Sequence, residues 1–186
     1  MNGAWVFGYG SIMWNPGFPY KTKKTCFIRG WERRFWQASS DHRGTTSVPG
    51  RVATLIQKKY SRCWGVAYNI DQHDENEILH SLDIREKNGY ERTTVIATSL
   101  LGSSFDCLTY VAGPSNQYYL EGEPLTSIAR QIEIAQGPSG TNAEYITFMI
   151  QELRDLGVYD QHVESIWKKL SREVRCLLYT SPSPRD

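Results

Sequence analysis

The sequence lacks a strong charge of either sign, since 21 basic and 20 acidic residues leave a formal net charge of +1. A nearly neutral chain gives no electrostatic reason to bind nucleic acid or an anionic membrane surface. The sequence also lacks an apolar run of about 18 residues and a basic leader followed by an apolar segment. We therefore expect a soluble, cytoplasmic protein with neither nucleic-acid nor membrane partners.

Cysteine is scarce, and its spacing excludes the common zinc and disulfide patterns. Cys26, Cys63, Cys107 and Cys176 form no C-x-x-C pair and have no neighbouring pair of histidines, which argues against both kinds of site. The glycine-containing opening lacks the Gly-Lys-Ser/Thr of a P-loop, and Met13 occupies the third glycine position of a dinucleotide fingerprint. The sequence therefore shows no metal-ligand spacing and neither of these nucleotide-binding patterns.

Short segments of strand character fill the first two-thirds of the chain. Their shared features are β-branched or aromatic residues and turn residues at both ends; they are residues 5–7, 25–29, 34–37, 52–57, 63–70, 93–100 and 106–111. In 63–70, large side chains alternate with small ones, as in a strand whose second face is closely approached by another element. So many short strands in one domain predict a strongly curved sheet or a small barrel.

Four helices are predicted, one between strands and three in the last third. Each is bounded by capping, proline or glycine signals. The predicted helices run from Asp71 or Asp74 to Asn88-Gly89, from Pro124 to Gly137-Pro138, from the capping box Thr141-x-x-Glu144 to Gly157, and from Asp160 through Val174. The predicted fold class is α+β, with a small curved β-sheet or barrel and packed helices.

The end of the chain departs from this pattern. The residues after Arg175, CLLYTSPSPRD, have no helical periodicity and match the translation of a sequencing-library adapter. We expect one domain over residues 1–175 and a non-native or disordered tail over residues 176–186.

The opening strand ends in Gly8-Tyr9-Gly10-Ser11, although one turn residue would suffice to reverse the chain. Two glycines permit positive φ angles and a close approach of the backbone, so that successive N–H groups can converge on one anion. The same pattern is also typical of an ordinary structural turn. The aromatic, proline-containing segment 14–17 that follows favours a binding loop.

Glu86 is the carboxylate whose spacing points to chemistry. If the first helix continues, Glu86 follows Leu79 and Leu82 on the inward stripe, where burial and the helix C-terminus both favour a general base. If the helix ends earlier, Glu86 lies on the surface or pairs with Arg85 or Lys87. The spacing leaves both alternatives open.

Three segments resemble the ChaC-type γ-glutamylcyclotransferases, which degrade glutathione and have the γ-glutamylcyclotransferase-like fold. The segments are VFGYGSIMWNPGF, LDIREKNGYERTTV and GPSGTNAEY, and the resemblance extends from Trp5 to Arg175. It implies that Glu86, in Arg-Glu-Lys, is catalytic. It also implies a γ-glutamyl-binding loop, made of Gly8, Tyr9, Gly10, Ser11, Ile12 and Met13. Ile12 stands where the family commonly has leucine, which is a mild departure.

The resemblance implies cleavage of glutathione, a small-molecule substrate, to 5-oxoproline and cysteinylglycine without a cofactor. Backbone N–H groups near Gly10 and Ser11 would hold either the α-carboxylate or the developing oxyanion. Arg43, in the polar loop 41–44, and Tyr118 are candidates to bind the cysteinylglycine end, although an exposed turn also explains the loop. The alternative functions are cyclisation of other γ-glutamyl compounds and glutathione binding without turnover. No oligomeric state is indicated.

Overall fold

The computed structural model describes residues 3–86 and 88–180. The chain forms two compact units, the first from residues 1–33 and 55–117 and the second from 34–54 and 118–186. Two long strands contribute residues to both units. Within the described residues, no helix has both the length and the apolar character that a membrane span requires.

Five strands build a closed barrel in the order β1-β3-β2-β4-β5. They are β1 (Trp5–Gly8), β2 (Thr22–Ser39), β3 (Gly50–Asn69), β4 (Glu91–Ser99) and β5 (Ser104–Val111). β1 pairs antiparallel with β3, where Trp5 faces Asn69, and parallel with β5, where Val6 faces Leu108. The prediction of an α+β protein with a small barrel is confirmed.

The predicted division into seven short strands is wrong. Segments 25–29 and 34–37 are parts of β2, and segments 52–57 and 63–70 are parts of β3. Gly30 has a φ of 79° and Tyr60 a φ of 68°. A single residue of positive φ can bend a strand and leave its hydrogen bonding on either side intact, so signals that resemble turns do not end these strands.

One helix of the first unit, α1 (Glu75–Arg85), lies between β3 and β4. Ile78, Leu79 and Leu82 are buried, as the apolar stripe predicts. Glu75 lies in the first turn and accepts a hydrogen bond from the Ala4 N–H at 3.0 Å. This contact fixes the start of α1 near the start of β1.

The second unit contains the other helices and a short hairpin. They are α2 (Leu125–Ile134), β6 (Gln136–Gly137), β7 (Gly140–Thr141), α3 (Asn142–Asp155), α4 (Gln161–Trp167) and α5 (Arg172–Thr180). The capping box of Thr141 and Glu144 and the cap at Asp160 are both present. Pro124 is the N-cap of α2 and not its first helical residue.

The predicted final helix is in fact two helices, because α4 ends at Trp167 and α5 begins at Arg172. Residues 176–180 belong to α5, so this part of the predicted tail is helical. Residues 181–186 lie outside the described residues. The domain boundary at residue 175 stays a prediction.

Candidate active site

The glycine-containing loop turns directly from β1 into a short 3-10 helix, Ser11–Met13. Ile12 and Met13 are buried and anchor this helix. A Cβ atom on Gly8 would lie 2.6 Å from Ile12 Cγ2 and 2.8 Å from Ile12 Cβ, so the Gly8 backbone packs closely against the Ile12 side chain. Neither Gly8 nor Gly10 has a positive φ, so the loop does not use the left-handed conformation that glycine permits.

Arg33, on β2, determines how the loop presents its backbone. Its guanidinium is almost completely buried, and it donates from Nε to the Tyr9 carbonyl at 2.8 Å and from Nη2 to the Trp64 carbonyl at 2.5 Å. The C=O and N–H of a trans peptide point in opposite directions, so the Gly10 N–H points away from Arg33.

The loop offers successive backbone donors. For the residues that the structure describes, the N–H groups of Gly10, Ser11 and Ile12 donate to no acceptor. Three such groups within one short turn are suited to holding a carboxylate or an oxyanion. The sequence singled out this loop but not Arg33, because nothing local shows that a residue on β2 contacts it.

Tyr9 connects the loop to β5 and α1. The buried Tyr9 hydroxyl donates to the Tyr110 carbonyl at 2.6 Å, and the Tyr110 hydroxyl donates to Asp83 Oδ1 at 2.7 Å. Burial is the main cause that raises the pKa of Tyr110, and the nearby charge of Glu86 adds to the increase. The Tyr9 hydroxyl therefore holds the loop in place, close to the carboxylates at the end of α1.

Arg85, the last residue of α1, contacts the loop directly. Its Nη2 donates to Ser11 Oγ at 2.8 Å, and its Nη1 donates to the Pro16 carbonyl at 2.8 Å and to the Asn15 carbonyl at 3.2 Å. Ser11 and Arg85 are 74 residues apart in the chain. These bonds bring the end of α1 to the glycine-containing loop.

Glu86 combines features of both alternatives that the sequence left open. Helix α1 ends at Arg85, but the Glu86 N–H still donates to the Leu82 carbonyl at 2.9 Å. The Glu86 side chain is 18% exposed, and Oε1 lies 3.4 Å from Arg85 Nε. The carboxylate is thus largely buried and paired with Arg85. Because Glu86 is the next residue in the chain after Arg85, it lies directly beside the residue that holds the loop.

A family model described as "ChaC-like protein" matches residues 4–173. The chain belongs to the ChaC-like family. Several curated relatives of this ChaC-like protein are similar over most of their length. Glutathione-specific gamma-glutamylcyclotransferase 1 of Mus musculus is 39% identical over 168 residues, which cover 87% of this chain and 75% of the mouse protein. Gamma-glutamylcyclotransferase 2-3 of Arabidopsis thaliana is also 39% identical, with coverage of 95% and 91%.

The fold of the ChaC-like chain is also similar to a solved structure. The crystal structure of a gamma-glutamyl cyclotransferase specific to glutathione from yeast matches with a TM-score of 0.84 at 27% identity. The match covers 91% of this chain and 98% of the yeast chain. The γ-glutamylcyclotransferase-like fold expected from the motifs is therefore confirmed.

The other two candidate residues of this ChaC-like protein, Arg43 and Tyr118, belong to the second unit. Arg43 Nη1 donates to the Thr141 carbonyl at 3.0 Å and lies 3.6 Å from Glu144 Oε2, and burial lowers the pKa of Arg43. The Tyr118 carbonyl accepts from the Ala38 N–H at 2.9 Å. Arg43 therefore supports the start of α3, and the contacts that join the loop to Glu86 within the first unit include neither residue.

Proposed function

We infer that this ChaC-like protein is a glutathione-specific γ-glutamylcyclotransferase, which converts glutathione into 5-oxoproline and cysteinylglycine. The inference rests on the contacts of Arg85, whose hydrogen bonds to Ser11 and Pro16 and ion pair with Glu86 join the donor-rich loop to the end of α1. The names of the mouse and yeast proteins, which state glutathione specificity, support the choice of substrate. We place the reaction in the cytoplasm, where glutathione helps to keep thiols reduced.

Glu86 acts as the general base in this proposal. It accepts a proton from the α-ammonium group of the glutamyl residue, and the resulting amine attacks its own γ-carbonyl carbon to close a five-membered ring. Protonated Glu86 then gives the proton to the cysteinyl nitrogen as the amide C–N bond breaks. The ring nitrogen, which became positively charged in the attack, loses a second proton to the released amine, so the products are a neutral lactam and an ammonium group. No atom is gained or lost beyond those of glutathione, because the products together have its composition.

The loop residues Gly8, Tyr9, Gly10, Ser11, Ile12 and Met13 bind the γ-glutamyl part of the substrate. The N–H groups of Gly10, Ser11 and Ile12 stabilise negative charge on the substrate, which is either its α-carboxylate or the oxyanion formed during attack. Holding glutathione in a curled conformation raises the effective concentration of the amine at the γ-carbonyl. Arg43 and Tyr118 are proposed to contact the cysteinylglycine end.

Incubation of the purified protein with glutathione, and separately with γ-glutamyl-alanine, tests the function. We expect 5-oxoproline and cysteinylglycine to appear in equal amounts from glutathione, with little 5-oxoproline from the dipeptide. Faster release from γ-glutamyl-alanine would contradict the glutathione specificity. Calorimetric binding of glutathione without any 5-oxoproline would contradict the enzymatic role and indicate a binding module.

A further inference from the structure

The Arg85 guanidinium has a different neighbour on each of its edges. Nη1 and Nη2 contact Ser11 Oγ and the carbonyls of Asn15 and Pro16, whereas Nε faces Glu86 Oε1 at 3.4 Å. The five N–H donors of arginine lie in a rigid planar fork, so these directions cannot be changed independently. Any shift of Arg85 therefore alters the loop and the carboxylate together.

The contact with Arg85 also determines the direction of the Ser11 hydroxyl. A guanidinium donates hydrogen bonds but accepts none, so Ser11 Oγ must be the acceptor in the 2.8 Å contact. The single hydroxyl hydrogen of Ser11 must then point elsewhere. No acceptor for it occurs in the parts of the chain that the structure describes, and it remains available as a donor beside the Ser11 N–H.

The far end of the loop is held by the same side chain. Gly17 has a φ of 74°, and a Cβ atom there would lie 3.1 Å from Arg85 Nη1. The Pro16 carbonyl next to it accepts a hydrogen bond from this nitrogen at 2.8 Å. Arg85 thus fixes both the start and the end of the segment from Ser11 to Gly17.

We propose that Arg85 is a positioning residue, which orients the Ser11 hydroxyl as a donor to the negatively charged group of the γ-glutamyl substrate and sets the spacing between this donor and Glu86. The proposal rests on the proposed function. It assigns Arg85 no contact with the substrate, because each of its three guanidinium nitrogens already contacts the loop or Glu86.

A double-mutant cycle tests the proposal with Arg85→Met, Ser11→Ala and the combined variant, measured as kcat/KM for glutathione by 5-oxoproline release. Loss of a hydrogen bond to a charged group predicts a roughly ten- to hundredfold decrease for Ser11→Ala. Displacement of the donor and Glu86 predicts a decrease of about a hundredfold for Arg85→Met. Because Arg85 acts partly through Ser11, the combined variant should lie within about threefold of Arg85→Met.

Arg85→Lys is the second variant, and it tests the role of Arg85 even if Arg85→Met does not fold. Lysine keeps the positive charge near Glu86 but replaces the fork by one nitrogen. We expect it to raise KM for glutathione and to lower kcat/KM by about tenfold, with a smaller loss in the Ser11→Ala background. Arg154→Met is the matched control, since Arg154 forms an exposed ion pair with Glu164 in the second unit, and its kcat/KM should equal that of the wild type.

The outcomes separate the two proposals. A wild-type protein that releases no 5-oxoproline would overturn the proposed function, and the role of Arg85 with it. If the wild type is active and Arg85→Met or Arg85→Lys keeps full activity, only the proposed role of Arg85 is overturned. Losses of Ser11→Ala and of the Arg85 variant that multiply in the combined protein would likewise show that Arg85 does not act through Ser11.

Discussion

Replacement of Glu86 by glutamine is the most direct test of the proposed chemistry. Glutamine keeps the size and planar shape of the side chain but cannot accept the proton of the glutamyl α-ammonium group. The side chain is 18% exposed, and Arg85 Nε lies 3.4 Å from its Oε1. The substitution thus changes the basicity of this position and little of its packing.

The expected effects on activity and on stability differ in size. Removal of a general base lowers the rate by about 10²- to 10⁴-fold, which corresponds to roughly 3–5 kcal/mol in the activation free energy. Loss of a partly exposed ion pair changes the free energy of unfolding by about 1 kcal/mol or less. For a chain of this length, 1 kcal/mol lowers the melting temperature by about 2–4 °C.

The assay is 5-oxoproline release from glutathione at saturating substrate, with thermal unfolding of each variant measured in parallel. Glu77→Gln is the control, because Glu77 lies exposed in the first turn of the same helix. It removes one negative charge, with a stability cost of about 0.3–1 kcal/mol, and should retain wild-type activity. A Glu86→Gln protein with more than about a tenth of the wild-type rate would refute Glu86 as the general base.

Three further predictions follow from the packing. A Cβ atom on Gly8 would overlap Ile12, so Gly8→Ala should lower the free energy of unfolding by about 1–3 kcal/mol and reduce 5-oxoproline release, and full activity would contradict this. Thr141→Ala removes the acceptor of the capping box on α3 and should cost about 1 kcal/mol of stability in urea unfolding without changing KM. Burial raises the pKa of the Cys26 thiol to about 12, so this thiol stays protonated at pH 8. A thiol reagent such as 5,5′-dithiobis(2-nitrobenzoate) should therefore modify the exposed Cys176 first. Rapid modification of Cys26 in the folded protein would contradict this.

The predictions that held for the fold depend on local chemistry. The caps at Thr141 and Asp160 could be predicted because a capping side chain accepts hydrogen bonds from N–H groups only two or three residues further along the chain. The strands were divided wrongly around Gly30 and Tyr60, because residues between two strand-like segments can form either a turn or a bend within one strand, and the positive φ at both residues belongs to such a bend. Hydrogen bonds to neighbouring strands decide between these two cases, and those neighbours are distant in the chain.

For the candidate site, the sequence by itself predicted the loop of Gly8 to Met13 and the carboxylate of Glu86 as its members, because each lies in a contiguous motif. Only the tertiary structure decided that Arg33 and Arg85 hold this loop, since their partners lie 24 and 74 residues away. An arginine in a strand or at a helix end has the same local sequence whether it faces solvent or a buried carbonyl. Its role depends on which backbone groups the fold brings within about 3 Å of its guanidinium.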